Sequence, residues 1–281
     1  MQTTPTDTAR LFHALHTPSR PLALVTVWDA ASALVAEAAG APALATTSAG
    51  VSWSLGFPDG DQLDRERALA AVARITAAVR VPVTADIETG YSGTDAGVAD
   101  TVARLLAAGV VGINLEDGAH PPGECAARIE AARTTAERAG IPLFINARTD
   151  VFLGGIGPVE DRLSETISRA ARYVAAGASG IFVPGVVDRE TIAALVAAIP
   201  VPLNVMVGPG APSVAELGDL GVARASLGSG VAQAAYAVVA RATRELCTAG
   251  TYAAGETHLT YGELNGLAAA AGRPVGATIE S

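Results

Sequence analysis

Carboxylate side chains end a short apolar run in the segment PVTADIETGY (82–91). Side chains of a β-strand alternate between its two faces, so Thr84, Asp86 and Glu88 are predicted to share one face. Two carboxylates that face a protein core repel each other and lose their hydration. The segment therefore requires a positive charge between its acids, and a metal ion could supply it.

Polar pairs with the same spacing end other apolar runs. Asn114 and Glu116 are predicted to share a face, and so are Asn146 and Arg148. Further polar residues at the ends of such runs are Thr46, Thr47, Ser48 and Asn204. The three acids (Asp86, Glu88 and Glu116) and the one arginine leave an excess of two negative charges. A hard divalent cation with oxygen ligands is the simplest compensation, which predicts Mg²⁺. The alternative is a layer of salt bridges in which Arg148 alone buffers the acids.

The elements that carry these residues alternate regularly along the chain. Short apolar, β-branched runs are separated by longer alanine- and arginine-rich segments with helical spacing. The runs cover residues 22–28, 42–48, 81–88, 110–116, 141–148, 179–185, 201–207 and 222–228. Eight strands that each precede a helix predict an α/β fold, the (β/α)₈ TIM barrel, whose active sites lie at the C-terminal ends of the strands. A doubly wound open sheet is the competing fold. The count of eight runs and the absence of a glycine-rich turn after the first run favour the barrel.

The domain organisation follows from the same pattern. Residues 1–250 are predicted to form the barrel, a catalytic domain whose final amphipathic helix covers 229–250. Residues 251–281 are predicted to form a C-terminal helical tail suited to subunit contact.

Composition excludes several function classes. The chain has 281 residues, of which half are apolar, and a net charge of −9, which argues against nucleic acid and anionic membranes as partners. It has no apolar run of membrane-spanning length and no secretory signal pattern, so a cytoplasmic location is expected. All 19 basic residues are arginine, which excludes chemistry that needs a lysine amine. Cys125 and Cys247 are predicted to be free thiols.

Four motifs together resemble the isocitrate lyase/phosphoenolpyruvate mutase superfamily. They read TTSAGVSWSLGFPDG (46–60), TADIETGYSG (84–93), INLEDG (113–118) and INARTD (145–150). The resemblance implies a (β/α)₈ barrel that exchanges its eighth helix with a neighbouring subunit, in a homodimer or homotetramer. It also implies Mg²⁺, which Mn²⁺ can replace.

The resemblance assigns roles to individual residues. It implies that Asp86 ligates the ion, and that Glu88 and Glu116 hold the waters of the ion. Asp59 is expected beside the reacting centre, and Arg148 is expected to bind a carboxylate or phosphonate of the substrate. The remaining residues predicted to bind substrate are Thr47, Ser48, Ala49, Asn114 and Asn204.

One motif of the superfamily is missing. Its isocitrate and methylisocitrate lyases carry a KKCGH-type loop shortly after the strand-four glutamate, where this chain reads EDGAHPPGECAARIE (116–130). Cys125 lacks the context of a catalytic acid and is expected to be a buried or helix-start thiol. His120 is expected to be a solvated loop residue.

The predicted function is a Mg²⁺-dependent enzyme that acts on a small 2-oxo acid, or on a hydroxy acid that yields one, through a metal-stabilised enolate. Carbon–carbon cleavage is favoured. A phosphonopyruvate mutase or hydrolase, an oxaloacetate-type decarboxylase and a non-catalytic 2-oxo-acid binder are the competing interpretations.

Overall fold

The computed structural model describes residues 4–271 and contains a closed barrel of parallel strands. Neighbouring strands pair in sequence order, and the first strand pairs with the last. The strands are β1 (Leu22–Val27), β2 (Leu44–Thr46), β3 (Val83–Asp86), β4 (Gly112–Glu116), β5 (Phe144–Arg148), β6 (Gly180–Val183), β7 (Leu203–Met206) and β8 (Arg224–Ser226). Each lies within one of the eight runs identified in the sequence, which confirms the (β/α)₈ barrel.

Helices surround the barrel. In chain order they are α1 (Pro5–Ala14), α2 (Ala30–Ala38), α3 (Ser48–Ser54), α4 (Arg65–Ala78), α5 (Asp95–Ala107), α6 (Pro122–Arg138), α7 (Arg162–Ala175), α8 (Arg189–Ala198), α9 (Val214–Asp219), α10 (Gly230–Ala249) and α11 (Tyr261–Ala270). Short 3₁₀ turns cover Val159–Asp161 and Ala253–Gly255.

Local signals explain where the helices begin and end. Helix α5, for example, begins after Thr94, whose side chain accepts a hydrogen bond from the backbone N–H of Gly97 at 3.2 Å. The chain leaves α5 through Gly109, whose φ of +90° is costly for any residue with a Cβ atom. Helices α2 and α9 show the same arrangement, with Asp29 and Ser213 as N-caps and Gly40 and Gly221 at positive φ after the last turn.

Helix α1 closes the N-terminal end of the barrel. Phe12 is fully buried, and its ring packs edge-on against Phe144, with the two ring centroids 5.7 Å apart. Gly112 at the start of β4 lies so close to the Phe12 ring that an added Cβ atom would approach it to 2.8 Å. Because this end is sealed by apolar side chains, a polar ligand must enter from the opposite end.

The alternation predicted across PVTADIETGY ends earlier than expected. Strand β3 stops at Asp86, and Glu88 lies in the following turn with a φ of +50°. The prediction that Glu88 shares a strand face with Thr84 and Asp86 is therefore wrong, because this turn redirects the side chain.

The C-terminal region continues beyond the barrel. Helix α10 confirms the final amphipathic helix predicted over 229–250, and α11 packs against α2 of the same chain. Residues 272–281 of the predicted tail lie outside the described residues, and exchange of a helix between subunits stays a prediction. None of the helices within residues 4–271 has the length and apolar character needed to cross a membrane. The cytoplasmic location also stays a prediction.

Two glycines allow the cost of backbone strain to be distinguished from the cost of steric crowding. Gly185 and Gly40 have nearly equal φ angles of +89° and +94°. A Cβ atom at Gly185 would approach the backbone N of Leu153 to 2.9 Å, whereas one at Gly40 would meet nothing within 4 Å. We expect Gly40→Ala to lower the free energy of unfolding by about 1 to 2 kcal/mol through backbone strain alone. Gly185→Ala should cost about 1 to 3 kcal/mol more, because backbone atoms must move. Urea denaturation of both variants measures this difference, and equal losses would contradict it.

Candidate active site

A cavity of about 220 Å³ opens at the C-terminal ends of the strands. It is lined by Thr26, Ala45, Thr46, Thr47, Ser48, Ala49, Asp59, Asp86, Asn114, Arg148, Leu153, Phe182, Met206, Arg224, Ser226, Gly228 and Ser229. The structure thus brings together seven of the residues predicted from the sequence: Thr47, Ser48, Ala49, Asp59, Asp86, Asn114 and Arg148. Glu88, Glu116 and Asn204 lie around this cavity without lining it.

Asp86 ends β3 at the wall of the cavity. Its backbone N–H donates to Thr46 Oγ1 at 2.9 Å, and its Oδ2 accepts from Ser48 Oγ at 3.2 Å. Burial raises the pKa of Asp86, Arg148 opposes this shift, and the charge of Asp59 adds to it. An ionised Asp86 therefore needs more positive charge than Arg148 provides.

Arg148 is held by two acids. Its Nη1 lies 2.6 Å from Glu116 Oε2, and its Nε donates to Asp150 Oδ1 at 2.7 Å. Burial alone would lower the pKa of Arg148, but the carboxylates of Glu116, Asp150 and Asp86 outweigh burial and raise it. Arg148 is thus a fixed, permanently charged group at the cavity wall. Arg148 therefore compensates part of the negative charge of the acids, as the salt-bridge alternative predicts.

A second layer of contacts fixes Asp150. The backbone N–H of Asp150 donates to Asp117 Oδ1 at 2.9 Å. Asp117 is fully buried, and its Oδ2 accepts from Arg169 Nη1 at 2.9 Å and from the Tyr173 hydroxyl at 2.7 Å. Helix α7, which carries Arg169 and Tyr173, is therefore connected through Asp117 and Asp150 to Arg148.

Glu88 contacts the loop that carries Asp59. Its Oε2 accepts a hydrogen bond from the backbone N–H of Asp61, while its buried Oε1 has no hydrogen-bond partner within residues 4–271. Burial raises the pKa of Glu88 to about 7, and the charges of Asp61, Asp59 and Asp86 contribute. The only residues other than glycine with positive φ in the described chain are Asp61, Glu88 and Tyr91. Strained backbone is therefore concentrated beside the acids.

Asn114 lines the bottom of the cavity and belongs to a layer of hydrogen-bonded asparagine side chains. Asn146 Nδ2 donates to Asn114 Oδ1 at 2.9 Å and to Asn204 Oδ1 at 3.0 Å. Arg224 Nη2 also donates to Asn114 Oδ1, at 3.2 Å. Asn204 thus contacts Asn146 within the layer and does not line the cavity. The layer is neutral except for the guanidinium of Arg224.

The donor set fits one divalent cation held by few direct ligands. Within residues 4–271, no three histidine, cysteine, aspartate or glutamate side chains converge to hold one ion together. Asp86 at the cavity wall and the unpartnered Oε1 of Glu88 offer hard oxygen donors, which Mg²⁺ prefers. Because Mg²⁺ usually keeps several of its waters, one direct carboxylate with others behind water suits it.

The structure separates Cys125 from the cavity. Cys125 is fully buried on α6, and burial raises the pKa of its thiol to about 12. His120 lies in an exposed loop, with its Nδ1 3.3 Å from Glu124 Oε2. Neither lines the cavity with Asp86, which agrees with their expected roles. Both cysteines are free.

The sequence patterns did not reveal Arg224, Asp117 or Asp150. Asp117 and Asp150 follow Glu116 and Arg148 within the motifs INLEDG and INARTD, so their position after strand ends was a usable signal. Arg224 is the third residue of the run VARASLG (222–228), and no acidic residue lies within that run. Only the closed barrel brings it beside Asn114.

These features define a TIM-barrel protein with an acid-rich, arginine-bearing cleft at the C-terminal ends of its strands. The model of the family described as phosphoenolpyruvate phosphomutase matches residues 12–247. The chain belongs to this family, and with it to the isocitrate lyase/phosphoenolpyruvate mutase superfamily of enzymes.

Individual relatives show how far the similarity extends. An uncharacterised protein of Mycobacterium tuberculosis is 41% identical over 237 residues, which cover 83% of this chain and 87% of the relative. An oxaloacetate decarboxylase of Bradyrhizobium sp. is 32% identical over 223 residues, covering 78% and 75% of the two chains. A crystal structure from Burkholderia cenocepacia J2315, provisionally designated a phosphonomutase, superposes with a TM-score of 0.82 at 42% identity. The superposition covers 86% of this chain and 99% of that one.

The raised pKa of Glu88 predicts a dependence of stability on pH. Because its folded pKa of about 7 exceeds its ordinary value of 4.5, the native state binds more protons between these pH values, and stability falls as pH rises through the window. Glu88→Gln removes this titration. In EDTA, the free energy of unfolding of the variant relative to wild type should rise with pH by up to about 1.4 kcal/mol per pH unit between roughly pH 5 and 7. Urea denaturation across this range measures the slope.

Glu66→Gln is the matched control. Exposed Glu66 pairs with Arg104, and hydrogen bonding from Arg104 lowers its pKa. The stability that ionised Glu66 contributes is lost only as pH falls through that lowered pKa. The difference in the free energy of unfolding between Glu66→Gln and wild type should therefore stay constant from pH 5 to 7. A constant difference for Glu88→Gln as well would contradict the prediction.

Proposed function

We propose that this protein is a Mg²⁺-dependent lyase that cleaves a carbon–carbon bond in a small 2-oxo acid, or in a hydroxy acid that yields one. The observation that carries the proposal is the shared cavity in which the carboxylates of Asp59 and Asp86 meet the guanidinium of Arg148. A volume of about 220 Å³ suits a small acid. Acids and arginines together suit an anionic ligand bound beside a cation.

Asp86 would hold the ion directly, and Glu88 and Glu116 would hold its waters. The free Oε1 of Glu88 and the position of Asp86 at the cavity wall, where burial raises its pKa, support this division. When bound, the ion would polarise the carboxylate and 2-oxo oxygens and stabilise the negative charge that develops as a bond at C3 breaks. Mn²⁺ is expected to substitute because it accepts the same oxygen ligands.

The protein's own groups would orient the acid. Arg148, locked by Glu116 and Asp150, would donate to a substrate carboxylate without having to reorganise. The segment Thr47–Ala49 begins α3 at the cavity wall and would hold one end of the acid. Asp59 would lie beside the reacting carbon. Asn114 would contact substrate at the bottom of the cavity, and Asn204 would support it through Asn146.

A mutase or hydrolase that acts on a phosphorus–carbon bond is the second candidate. The matched family and the designation of the Burkholderia structure favour it. The oxaloacetate decarboxylase relative favours carbon–carbon chemistry. The missing KKCGH loop argues against isocitrate and methylisocitrate as substrates. Decarboxylation of an oxaloacetate-type acid, and binding of a 2-oxo acid without turnover, are the third and fourth candidates.

A panel assay tests the proposal. The enzyme with Mg²⁺ is incubated with oxaloacetate, alkylated 2-hydroxy diacids and phosphonopyruvate, and products are identified by NMR. Two organic fragments from carbon–carbon cleavage of any acid, abolished by EDTA, support the lyase, whereas pyruvate and CO₂ from oxaloacetate alone support the decarboxylase. Release or migration of phosphorus from phosphonopyruvate alone supports the second candidate. Calorimetric binding without any product would identify a binder.

Neutralising the acids one at a time tests the assigned metal roles. Asp86→Asn keeps the side-chain shape but removes charge from the direct ligand, so we expect stabilisation by Mg²⁺ and turnover to be lost. Glu88→Gln can still hydrogen-bond a water, so metal affinity should fall only about 10- to 100-fold. The measurement is the rise in Tm and the rate with EDTA, Mg²⁺ or Mn²⁺, since a ligand that binds the native state raises stability. Equal effects of the two substitutions would contradict the division of roles, and a wild type that ignores Mg²⁺ even with a 2-oxo acid would remove the metal site.

The assembly is expected to be a homodimer or homotetramer. Helix α10 leaves several apolar side chains exposed in the single chain: Val231, Tyr236, Val238, Val239 and Leu246. An apolar patch of this kind on one helix is typical of a protein–protein contact. Light scattering at micromolar concentration should give two or four times the chain mass of 28.1 kDa. A mass of one chain would contradict the expectation.

A further inference from the structure

A buried arginine at the bottom of the cavity has no acidic partner. Arg224 is only 1% exposed, and among residues 4–271 its Nε and Nη1 have no hydrogen-bond partner. No ion pair formed within that range includes it. By contrast, Arg148 and Arg169 each pair with two carboxylates. Arg224 is therefore a buried cation whose hydrogen-bonding capacity is mostly unused.

An unpaired buried charge is costly unless a bound group compensates it. Guanidinium groups keep their proton in folded proteins, and removing such a charge from water without a partner is strongly unfavourable. Burial lowers the pKa of Arg224 to about 9, so the group still carries its charge at neutral pH. Its single bond to the neutral Asn114 Oδ1 does not cancel that charge. An anion bound in the cavity would do so.

The position of Arg224 complements that of Arg148. Asn114 and Asn146, the residues at the level of the Arg224 guanidinium, precede Glu116 and Arg148 by two positions on the same strands. Two residues correspond to roughly 7 Å along a strand. A small acid in the cavity would thus meet Arg148 nearer the mouth and Arg224 at the bottom.

We propose that Arg224 is a substrate-binding residue that receives a carboxylate of the 2-oxo acid at the bottom of the cavity. This inference rests on the proposed function and adds a second arginine to the site. It implies that the acid enters with its carboxylate end first, toward the sealed N-terminal end of the barrel. The bond to be cleaved then lies nearer to the opening.

A purely electrostatic role is the rival explanation. Asp86 is the carboxylate whose charge acts on Arg224. If Arg224 served only as a counter-charge for Asp86, its removal would change metal affinity and leave the affinity for the acid at a given metal occupancy unchanged. Oxalate, a small inert dicarboxylate, separates the two explanations because its binding can be measured without turnover.

The experiment compares wild type, Arg224→Met, Arg224→Lys and Arg224→Gln. Binding of oxalate at saturating Mn²⁺ is measured by calorimetry, and Mn²⁺ binding without oxalate by electron paramagnetic resonance. Arg133→Met is the matched control, because Arg133 of α6 donates to Gly177 O and Ser179 Oγ, outside the cavity. We expect Arg224→Met to weaken oxalate binding about 10- to 100-fold, the loss typical of a charged hydrogen bond. Arg224→Lys should restore part of it, Mn²⁺ affinity should not fall, and the control should change neither.

The outcomes distinguish a failure of the role of Arg224 from a failure of the proposed function. A folded Arg224→Met variant that binds oxalate as tightly as wild type overturns the role of Arg224 alone. A wild type that binds no oxalate in the presence of Mn²⁺ overturns the proposed function and this inference together. If Arg224→Met does not fold, two other measurements test the role of Arg224. They are oxalate binding by the Lys and Gln variants and a crystal structure of wild type with oxalate and Mn²⁺. In that crystal structure, a nitrogen of Arg224 should lie within about 3.2 Å of an oxalate oxygen, and its absence there would overturn the inference.

Discussion

The burial of several carboxylates at one end of the barrel is the constraint on which the rest of the site depends. Asp86 and Glu116 end neighbouring strands, and Glu88 is buried in the adjoining turn. In water these groups would ionise freely. In the barrel each charge must be met by an arginine, a hydrogen-bond donor or a bound cation. Arg148 meets part of this requirement by pairing with Glu116 and Asp150. Under the proposed function, a bound metal ion would meet the rest.

The contacts that compensate these charges also connect helix α7 to the strands of the barrel. Asp117 accepts bonds from Arg169 and Tyr173 on α7 and also from the backbone of Asp150. A shift of α7 would therefore change the position of Arg148. On the other side, the bond from Asp61 to Glu88 fixes the loop that carries Asp59. The residues that touch the cavity are thus held by contacts that leave little freedom for reorganisation, which favours electrostatic stabilisation of charge that develops in a reaction.

The two ends of the cavity differ in chemistry. Its mouth is rich in acids and loops with strained backbone, whereas its bottom is a neutral asparagine layer interrupted by one guanidinium. Below this layer, Phe12 and Phe144 seal the barrel. Under the proposed function, such a gradient would orient an anionic ligand, because its most charged end would gain most at the bottom while the reacting bond would stay within reach of the acids.

The sequence alone determined the eight-stranded barrel, because a short apolar run followed by a helical segment leaves few other ways to bury both. It also placed Asp86, Asn114 and Arg148 together, since parallel strands bring their C-terminal ends to one edge. Asp59 was expected beside them only from the resemblance of its motif to the superfamily. The direction of Glu88 was decided only in three dimensions, because a left-handed turn breaks the alternation after Asp86. The position of Arg224 in the cavity was likewise not predictable from the sequence. Its hydrogen-bond partner Asn114 lies 110 positions away, and burial without an acidic partner is a property of the closed barrel rather than of any local pattern.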